Sequence, residues 1–181
     1  MPTDLSKFDN SWYNTAPALK RVVWYFFNLI FFQTGLFPFY SLKTFLLRVF
    51  GARVGKGVLI KPCVNIKYPW NLSIGDHCWI GEKVWIDNLA PVLIESQVCI
   101  SQGAYLLTGN HDYTKTAFDL FIKPIHISKG VWIGAKSVVC PGVTCHEHSI
   151  LAVQSVANRD MEPFTIYMGN PAVKVRLRNM E

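Results

Sequence analysis

The feature that most constrains the fold is a six-residue repeat that runs through residues 54–157. Apolar residues recur at every sixth position in five groups of three, and most are followed four positions later by another small or apolar residue. The groups are Val54, Ile60, Ile66; Ile74, Ile80, Ile86; Ile94, Ile100, Leu106; Ile127, Ile133, Val139; and Cys145, Leu151, Ala157. A β-sandwich would show a period of two and irregular turn spacing, so a phase of six favours a solenoid.

Each group of three predicts one triangular coil, in which a short strand forms each side and the sixth-position residue points inward. One coil alone leaves apolar side chains and backbone groups unsatisfied, so consecutive coils must stack into a continuous core. The sequence therefore predicts an all-β solenoid of about five coils over residues 54–168, with the repeat positions aligned in columns.

Two segments interrupt the repeat, and they define the predicted organisation of the chain. Residues 17–50 are rich in aromatic residues and predict two helices, near 18–33 and 39–49, within an N-terminal cap of residues 1–53. Residues 107–126 form an excursion between the third and fourth coils, and long loops of this kind are usually functional or disordered. Residues 169–181 are expected to form a turn and a basic tail.

Several stretches of the chain carry a family resemblance. The segments "SIGDHCWIGEKVWIDN", "VCISQGAYLLTGNHDY", "ISKGVWIGAKSVVCPGVTC" and "GNPA" resemble the hexapeptide-repeat acyltransferases, most closely the branch that acetylates sugars in colanic-acid and related exopolysaccharide biosynthesis. The resemblance covers nearly the whole chain, including "DLSKFDNSWYN" near its start. It implies a left-handed parallel β-helix, a homotrimer, and an O-acetyltransferase that moves an acetyl group from acetyl-CoA directly to a sugar hydroxyl.

The excursion carries the candidate catalytic residue, His111, within "TGNHDY". Acetyl transfer to an alcohol needs a base for the hydroxyl proton, and histidine, with an unperturbed pKa of about 6.5, suits that task. The resemblance places the family's catalytic histidine at this position. Asp87, Asn88 and Asp112 are candidates for contacting the acceptor or orienting the imidazole, although such residues are also ordinary turn formers.

The candidate cofactor residues follow the excursion. "WIGAKSVVCPGV" and "LAVQSVANRD" resemble the stretches that pack along the pantetheine arm of acetyl-CoA. By that resemblance Gly134, Ala135 and Val153 lie beside the arm, with Ala135 and Val153 contacting it through main-chain atoms. Arg159 and Lys174 are candidates for the CoA phosphates, and the alternative for both is a solvated surface charge.

Charge and cysteine usage argue against other classes of function. The net charge is +6, but no central basic run with interleaved aromatic residues is present, so nucleic-acid binding is not expected. In the sequence Cys145-His146-Glu147-His148 the cysteine holds an inward repeat position while the histidines fall in a turn, so no metal site is expected. Five cysteines without a CxxC pair, and no signal peptide, indicate a cytoplasmic protein.

Two alternatives remain open at this level. The chain could be a non-catalytic trimeric scaffold, or an acetyltransferase for another small hydroxyl or amine acceptor, although the intact "GNHDYTK" favours an enzyme. The aromatic segment 17–50 either only caps the first coil or also contacts the inner face of a membrane.

Overall fold

The computed structural model describes residues 2–180, which form a β-solenoid of parallel strands with helices at its N-terminal end. The first three coils are β1 Arg53–Val54, β2 Leu59–Ile60 and β3 Asn65–Ile66; β4 Leu72–Ile74, β5 Trp79–Ile80 and β6 Trp85–Asp87; and β7 Val92–Ile94, β8 Cys99–Ile100 and β9 Tyr105–Leu107. A hairpin follows, made of β10 Gly109–His111 and β11 Leu120–Ile122. The fourth and fifth coils are β12 Ile125–Ile127, β13 Trp132–Ile133 and β14 Val138–Val139; and β15 Thr144–Cys145, β16 Ile150–Leu151 and β17 Val156–Ala157.

The strands form three flat faces, each a parallel sheet with one strand from every coil. The first face has the order β1-β4-β7-β12-β15, the second contains β2-β5-β8-β13-β16, and the third contains β3-β6-β9-β14-β17. In the pairing register Ile60 lies beside Ile80, Ile80 beside Ile100, and Ile100 beside Ile133. The other two predicted columns align in the same way, so the six-residue repeat is confirmed as the winding of the core.

Glycine at the start of several turns reflects the close stacking of coils. A Cβ on Gly134 would lie 2.6 Å from the Val153 nitrogen and 2.7 Å from the Leu151 oxygen. Gly81 faces the next coil at equally short distances. Since these neighbours are backbone atoms, they cannot move aside as a flexible side chain could, and a larger residue would force the coils apart.

The C-terminal segment extends the solenoid beyond the five predicted coils. Met161 bridges to Cys145 on the first face, and β18 Thr165–Gly169 adds to the second face, where the Tyr167 carbonyl accepts from Ala152 N–H at 2.8 Å. The segment expected to be a basic tail is mostly a strand, β19 Ala172–Leu177, paired antiparallel with β18. This hairpin supplies the backbone partners that the second face of the fifth coil needs.

Two helices cover the open first coil, where two were predicted. They are α1 Ala18–Phe27, which continues as a π-helical turn Asn28–Phe32, and α2 Tyr40–Val49. Trp24 is buried against the first coil and donates its indole N–H to the Ile66 carbonyl at 2.8 Å. Within residues 2–180, the structure contains no helix with the length and apolar character needed to cross a bilayer.

Candidate active site

The predicted excursion is a β-hairpin that leaves the solenoid at the edge between the third and first faces. Gly109 pairs with Ile122 and His111 with Leu120 in antiparallel register. The hairpin is anchored at its root by buried Thr108, whose hydroxyl donates to the Asp87 carbonyl at 2.8 Å and accepts from the Ala90 N–H. The hairpin therefore holds His111 on regular structure rather than on an irregular loop.

The His111 ring is held by the backbone carbonyl and the aromatic ring of Phe118. Its Nδ1 lies 2.9 Å from the Phe118 oxygen, and the ring stacks on the Phe118 ring with centroids 4.5 Å apart and planes at 9°. Because a carbonyl only accepts, Nδ1 carries the proton of the neutral ring, and Nε2 keeps its lone pair. The arrangement selects the tautomer that a general base requires.

Phe118 presents its carbonyl through an uncommon backbone conformation. Its φ is +54°, in the left-handed region that bulky residues rarely adopt. The hairpin tip enforces this conformation: Phe118 N–H donates to the Lys115 carbonyl at 3.1 Å, and Lys115 N–H to the Asp112 carbonyl at 3.2 Å. Phe164 and several other non-glycine residues at turns of the solenoid also have a positive φ, so the value reflects the tight turn at the hairpin tip. Nothing in the local sequence signals the role of Phe118, because a positive φ at phenylalanine has no compositional mark.

Asp112 builds the tip of the hairpin and does not hold the imidazole. Its carboxylate accepts from Thr114 N–H at 3.0 Å and from the Thr114 hydroxyl at 2.6 Å. These hydrogen bonds lower the pKa of Asp112, since they stabilise the ionised form. The carboxylate is exposed enough to meet an acceptor as well.

An N-terminal strap, residues 4–15, packs along the edge that carries His111. Asp4 N–H donates to the Thr116 carbonyl at 2.9 Å in the hairpin, and the Tyr13 hydroxyl to the Leu89 carbonyl at 2.7 Å. The Phe8 ring lies against His111, with centroids 5.5 Å apart. Sequence reasoning missed Phe8, because a contact across about a hundred residues leaves no local pattern.

Asp87 lies at the root of the hairpin within a small polar network. Its carboxylate pairs with Lys67 Nζ at 2.8 Å and accepts from the Tyr105 hydroxyl at 3.2 Å. Burial first, and then the nearby Asp87 charge, raise the pKa of Tyr105, which keeps that hydroxyl protonated as a donor. Asp87 therefore does not orient His111, whose Nδ1 is committed to Phe118.

Asn88 is placed where its amide is already engaged. The side chain is fully buried, its Nδ2 donates to the Tyr68 carbonyl at 2.6 Å, and its Oδ1 accepts from Tyr68 N–H at 2.9 Å. Both ends of the amide fix the preceding turn, so within a single chain Asn88 serves the scaffold.

The predicted pantetheine residues lie on a different edge of the prism, between the second and third faces. Gly134 and Ala135 form that edge in the fourth coil, and Val153 forms it in the fifth, where it is 61% exposed. The Ala135 carbonyl accepts from Gln154 N–H at 2.9 Å, which fixes the two turns beside each other. The small side chains leave the turns open to a narrow ligand. The tight contact of Gly134 is with the next coil.

Arg159 and Lys174 line one cleft at the C-terminal end of the solenoid, with a volume of about 270 Å³. Lys174 forms an ion pair with Glu162, whose carboxylate raises the pKa of the lysine by accepting a hydrogen bond from it. Arg159 is exposed. The structure thus brings the two predicted phosphate ligands together, with part of the Lys174 charge already balanced.

The cysteines and histidines outside the hairpin do not suggest another chemistry. Burial raises the pKa of the Cys78, Cys99 and Cys140 thiols and brings that of Cys145 to about 12, which disfavours the nucleophilic thiolate. Cys145 faces the core, whereas the His148 ring stacks on Phe164 at a corner, 4.8 Å between centroids. Across residues 2–180 no three His, Cys, Asp or Glu side chains are grouped to hold a metal ion.

Comparison with known proteins identifies the family to which this chain belongs. The sequence is 35% identical over 161 residues to the "Putative colanic acid biosynthesis acetyltransferase WcaF" of Escherichia coli (strain K12), spanning 89% of this chain and 88% of that protein. It is 34% identical over 122 residues to Nodulation protein L of Rhizobium meliloti (strain 1021), spanning 66% and 67% of the two chains. No protein-family model matches the sequence.

A solved structure shares the architecture. The hexapeptide-repeat containing acetyltransferase VCA0836 of Vibrio cholerae O1 biovar eltor, solved in complex with acetyl coenzyme A, superposes with a TM-score of 0.81 at 27% identity. The match covers 92% of this chain and 93% of that one. With this fold, and with 35% identity to WcaF across most of both sequences, the chain belongs to the hexapeptide-repeat, left-handed β-helix acyltransferases, as its repeat motifs suggested.

Proposed function

We propose that this protein is an acetyl-CoA-dependent O-acetyltransferase that acetylates a sugar hydroxyl in exopolysaccharide biosynthesis of the colanic-acid type, with His111 as general base. The single observation that carries the mechanism is the hydrogen bond from His111 Nδ1–H to the Phe118 carbonyl, which leaves Nε2 as the proton acceptor. The name of the relative WcaF supports the pathway, and the acetyl coenzyme A in the VCA0836 complex supports the donor.

The proposed reaction is a direct transfer. His111 Nε2 takes the proton of the acceptor hydroxyl while the oxygen attacks the thioester carbonyl. The carbon–sulfur bond then breaks, and the thiolate leaves with the proton, giving an acetyl ester and free CoA. Burial raises the pKa of Cys78, Cys99, Cys140 and Cys145, which argues against an acyl intermediate on those four thiols. Holding both substrates together supplies much of the rate enhancement.

The residues on the second–third edge fit a donor of this shape. Pantetheine is narrow and carries amides, and the turns at Ala135 and Val153 would offer main-chain groups to it at an edge where neither residue is buried. Arg159 and Lys174 would meet the phosphates, where a fixed positive charge strengthens the hydrogen bonds.

Direct transfer requires a homotrimer in this proposal. His111 and Ala135 project from different edges of the same prism, so one chain does not bring base and donor together. If the His111 edge of one subunit lies against the Ala135 edge of its neighbour, threefold packing closes three identical sites.

The acceptor would bind between the hairpin and the N-terminal strap. The Phe8 ring borders the imidazole there, Asp87 lies at the hairpin root, and the Asp112 carboxylate lies at the hairpin tip. An aromatic face and carboxylates suit a sugar, which presents both an apolar ring face and hydroxyl groups. Because its amide is satisfied by Tyr68, Asn88 is left out of the proposed acceptor contacts.

An acceptor screen tests the proposal. The protein is incubated with acetyl-CoA and a panel of free, nucleotide-linked and lipid-linked sugars, release of the CoA thiol is followed, and products are identified by NMR. We expect an acetyl ester on a sugar. An acetyl amide would assign an amine acceptor instead, and no transfer across the panel together with no acetyl-CoA binding would support the scaffold alternative.

A further inference from the structure

The helical cap has apolar side chains on two opposite sides, and the solenoid covers only one of them. Trp24 and Phe32 of the cap are fully buried against the first coil. On the far side lies the outer cap face, formed by Leu19, Val22, Phe26, Leu36, Phe39 and Phe45. The spacing of 19, 22 and 26 along α1 gives a second stripe opposite Trp24.

The outer cap face is strongly exposed for such large apolar groups. Leu19 is 76% exposed, Leu36 78% and Phe39 63%. Capping units of solenoids ordinarily turn a polar surface outward, because their outer side has only water to face. Several large aliphatic and aromatic side chains exposed at that position indicate a surface with a partner.

The charges around the cap indicate which class of partner would bind the outer cap face. Residues 10–75 contain no aspartate or glutamate and carry eight lysines and arginines, of which only Lys43 is buried. Arg21 is exposed in the first turn of α1, whereas the Lys20 ammonium lies over the Trp70 ring, 4.6 Å from its centroid. A second copy of this cap would bring cations against cations, whereas an anionic surface would be attracted to it.

We propose that the outer cap face docks on the surface of a bilayer that contains anionic phospholipids. The two helices then lie in the headgroup region with Leu19, Phe26 and Phe45 inserted, and the positive charge of residues 10–75 attracts the anionic headgroups. Neither helix spans the bilayer. The His111 hairpin leaves the third coil, roughly 10 Å along the solenoid from the first. Docking would therefore bring the His111 site close to membrane-bound acceptors, and this consequence rests on the proposed function.

Vesicle co-sedimentation tests the docking surface directly. The full-length protein is mixed with phosphatidylcholine vesicles, with or without phosphatidylglycerol, at low and high salt. We expect binding to the anionic vesicles, much weaker binding to the neutral ones, and a decrease at high salt because the ions screen the attraction.

Substitutions assign the binding to the outer cap face. The double variant Phe26→Gln/Phe45→Gln is expected to bind anionic vesicles at least about tenfold more weakly, since two apolar insertions are lost. The matched control is Val175→Gln/Leu177→Gln, which changes two exposed apolar residues on β19 at the other end of the solenoid, and it should bind like wild type. Melting temperatures verify that both variants fold.

Several results would overturn the docking surface. One is wild-type protein that stays in solution with both vesicle types, and another is vesicle binding that Phe26→Gln/Phe45→Gln does not weaken. A change in oligomeric state in that variant would assign the outer cap face to a second copy of the chain instead. Acetyl transfer to a soluble acceptor is measured in parallel. Normal turnover without vesicle binding rejects only this inference, and binding without turnover rejects only the proposed function.

Discussion

Replacing His111 by asparagine separates the chemical role of the ring from its structural role. Asparagine can donate its side-chain amide to the Phe118 carbonyl, as Nδ1 does in the wild type at 2.9 Å, but it has no group equivalent to Nε2. Alanine removes both functions. The pair of variants therefore distinguishes loss of the base from loss of the hairpin contact.

The expected magnitudes follow from the contacts of the ring. Loss of a general base lowers the turnover number by about 10²- to 10⁴-fold, or roughly 3 to 5 kcal/mol in the barrier. The hydrogen bond to Phe118 contributes about 0.5–1.5 kcal/mol to the free energy of unfolding, and the stacked Phe118 ring contributes a similar amount. We therefore expect a loss of about 1–3 kcal/mol in His111→Ala and about half of that in His111→Asn.

The assay combines steady-state release of CoA with denaturant unfolding of the same preparations. Both variants should lose turnover by similar factors, with KM for acetyl-CoA little changed, while His111→Asn remains the more stable of the two. Turnover of His111→Asn within tenfold of wild type would refute the assignment of His111 as the base. Equal stability of the two variants would refute the role of the Phe118 carbonyl.

Three further predictions test the assembly, the core and the cap. If each site combines two subunits, a 1:1 mixture of His111→Asn and Ala135→Trp chains, unfolded and refolded together, should regain about a quarter of wild-type activity, because about one site in four then has both residues intact. Each variant refolded separately should stay inactive. No recovery in the mixture would place the site within one chain. Ile100 is fully buried between Ile80 and Ile133, so Ile100→Ala should lower the free energy of unfolding by about 2–5 kcal/mol. Leu93 faces outward on the same coil, so Leu93→Ala should change that free energy by about 0.5 kcal/mol or less. Equal losses of unfolding free energy for the two variants in denaturant titrations would contradict the inward assignment of Ile100. Burial lowers the pKa of Lys43 below its usual 10.5. Between the lowered pKa and 10.5 the unfolded chain binds the proton more strongly, so the wild type gains stability relative to Lys43→Met as the pH rises toward 10.5. A melting-temperature difference that stays constant from neutral pH to about pH 11 would contradict this.

The solenoid could be predicted in detail because its signal is local and repeated. Each inward residue, such as Ile80 or Ile133, is specified by a spacing within the chain, and stacking repeats the same environment in each coil. The two cap helices were also accessible, and His111 was singled out by its position in the family motif, where its catalytic role stays a prediction. The partial sixth coil was missed because β18 and β19 are selected by the need to pair the last exposed backbone groups, which no six-residue phase records.

The contacts within the candidate site could not be predicted from the sequence. The motif identifies His111 but not its partners: the Phe118 carbonyl depends on a left-handed backbone set by the hairpin tip, and Phe8 arrives from the other end of the chain. The roles of Asp112 and Asn88 are also decided by which neighbouring amides they meet.

The six-residue period of inward apolar groups by itself determines that the chain stacks into a solenoid with those groups in columns, whereas the left-handed sense of the coil was implied only by the family resemblance. Only the tertiary structure decides the chemistry along the edges, because hydrogen-bond direction, tautomer and the separation of His111 from Ala135 depend on contacts between residues far apart in the chain.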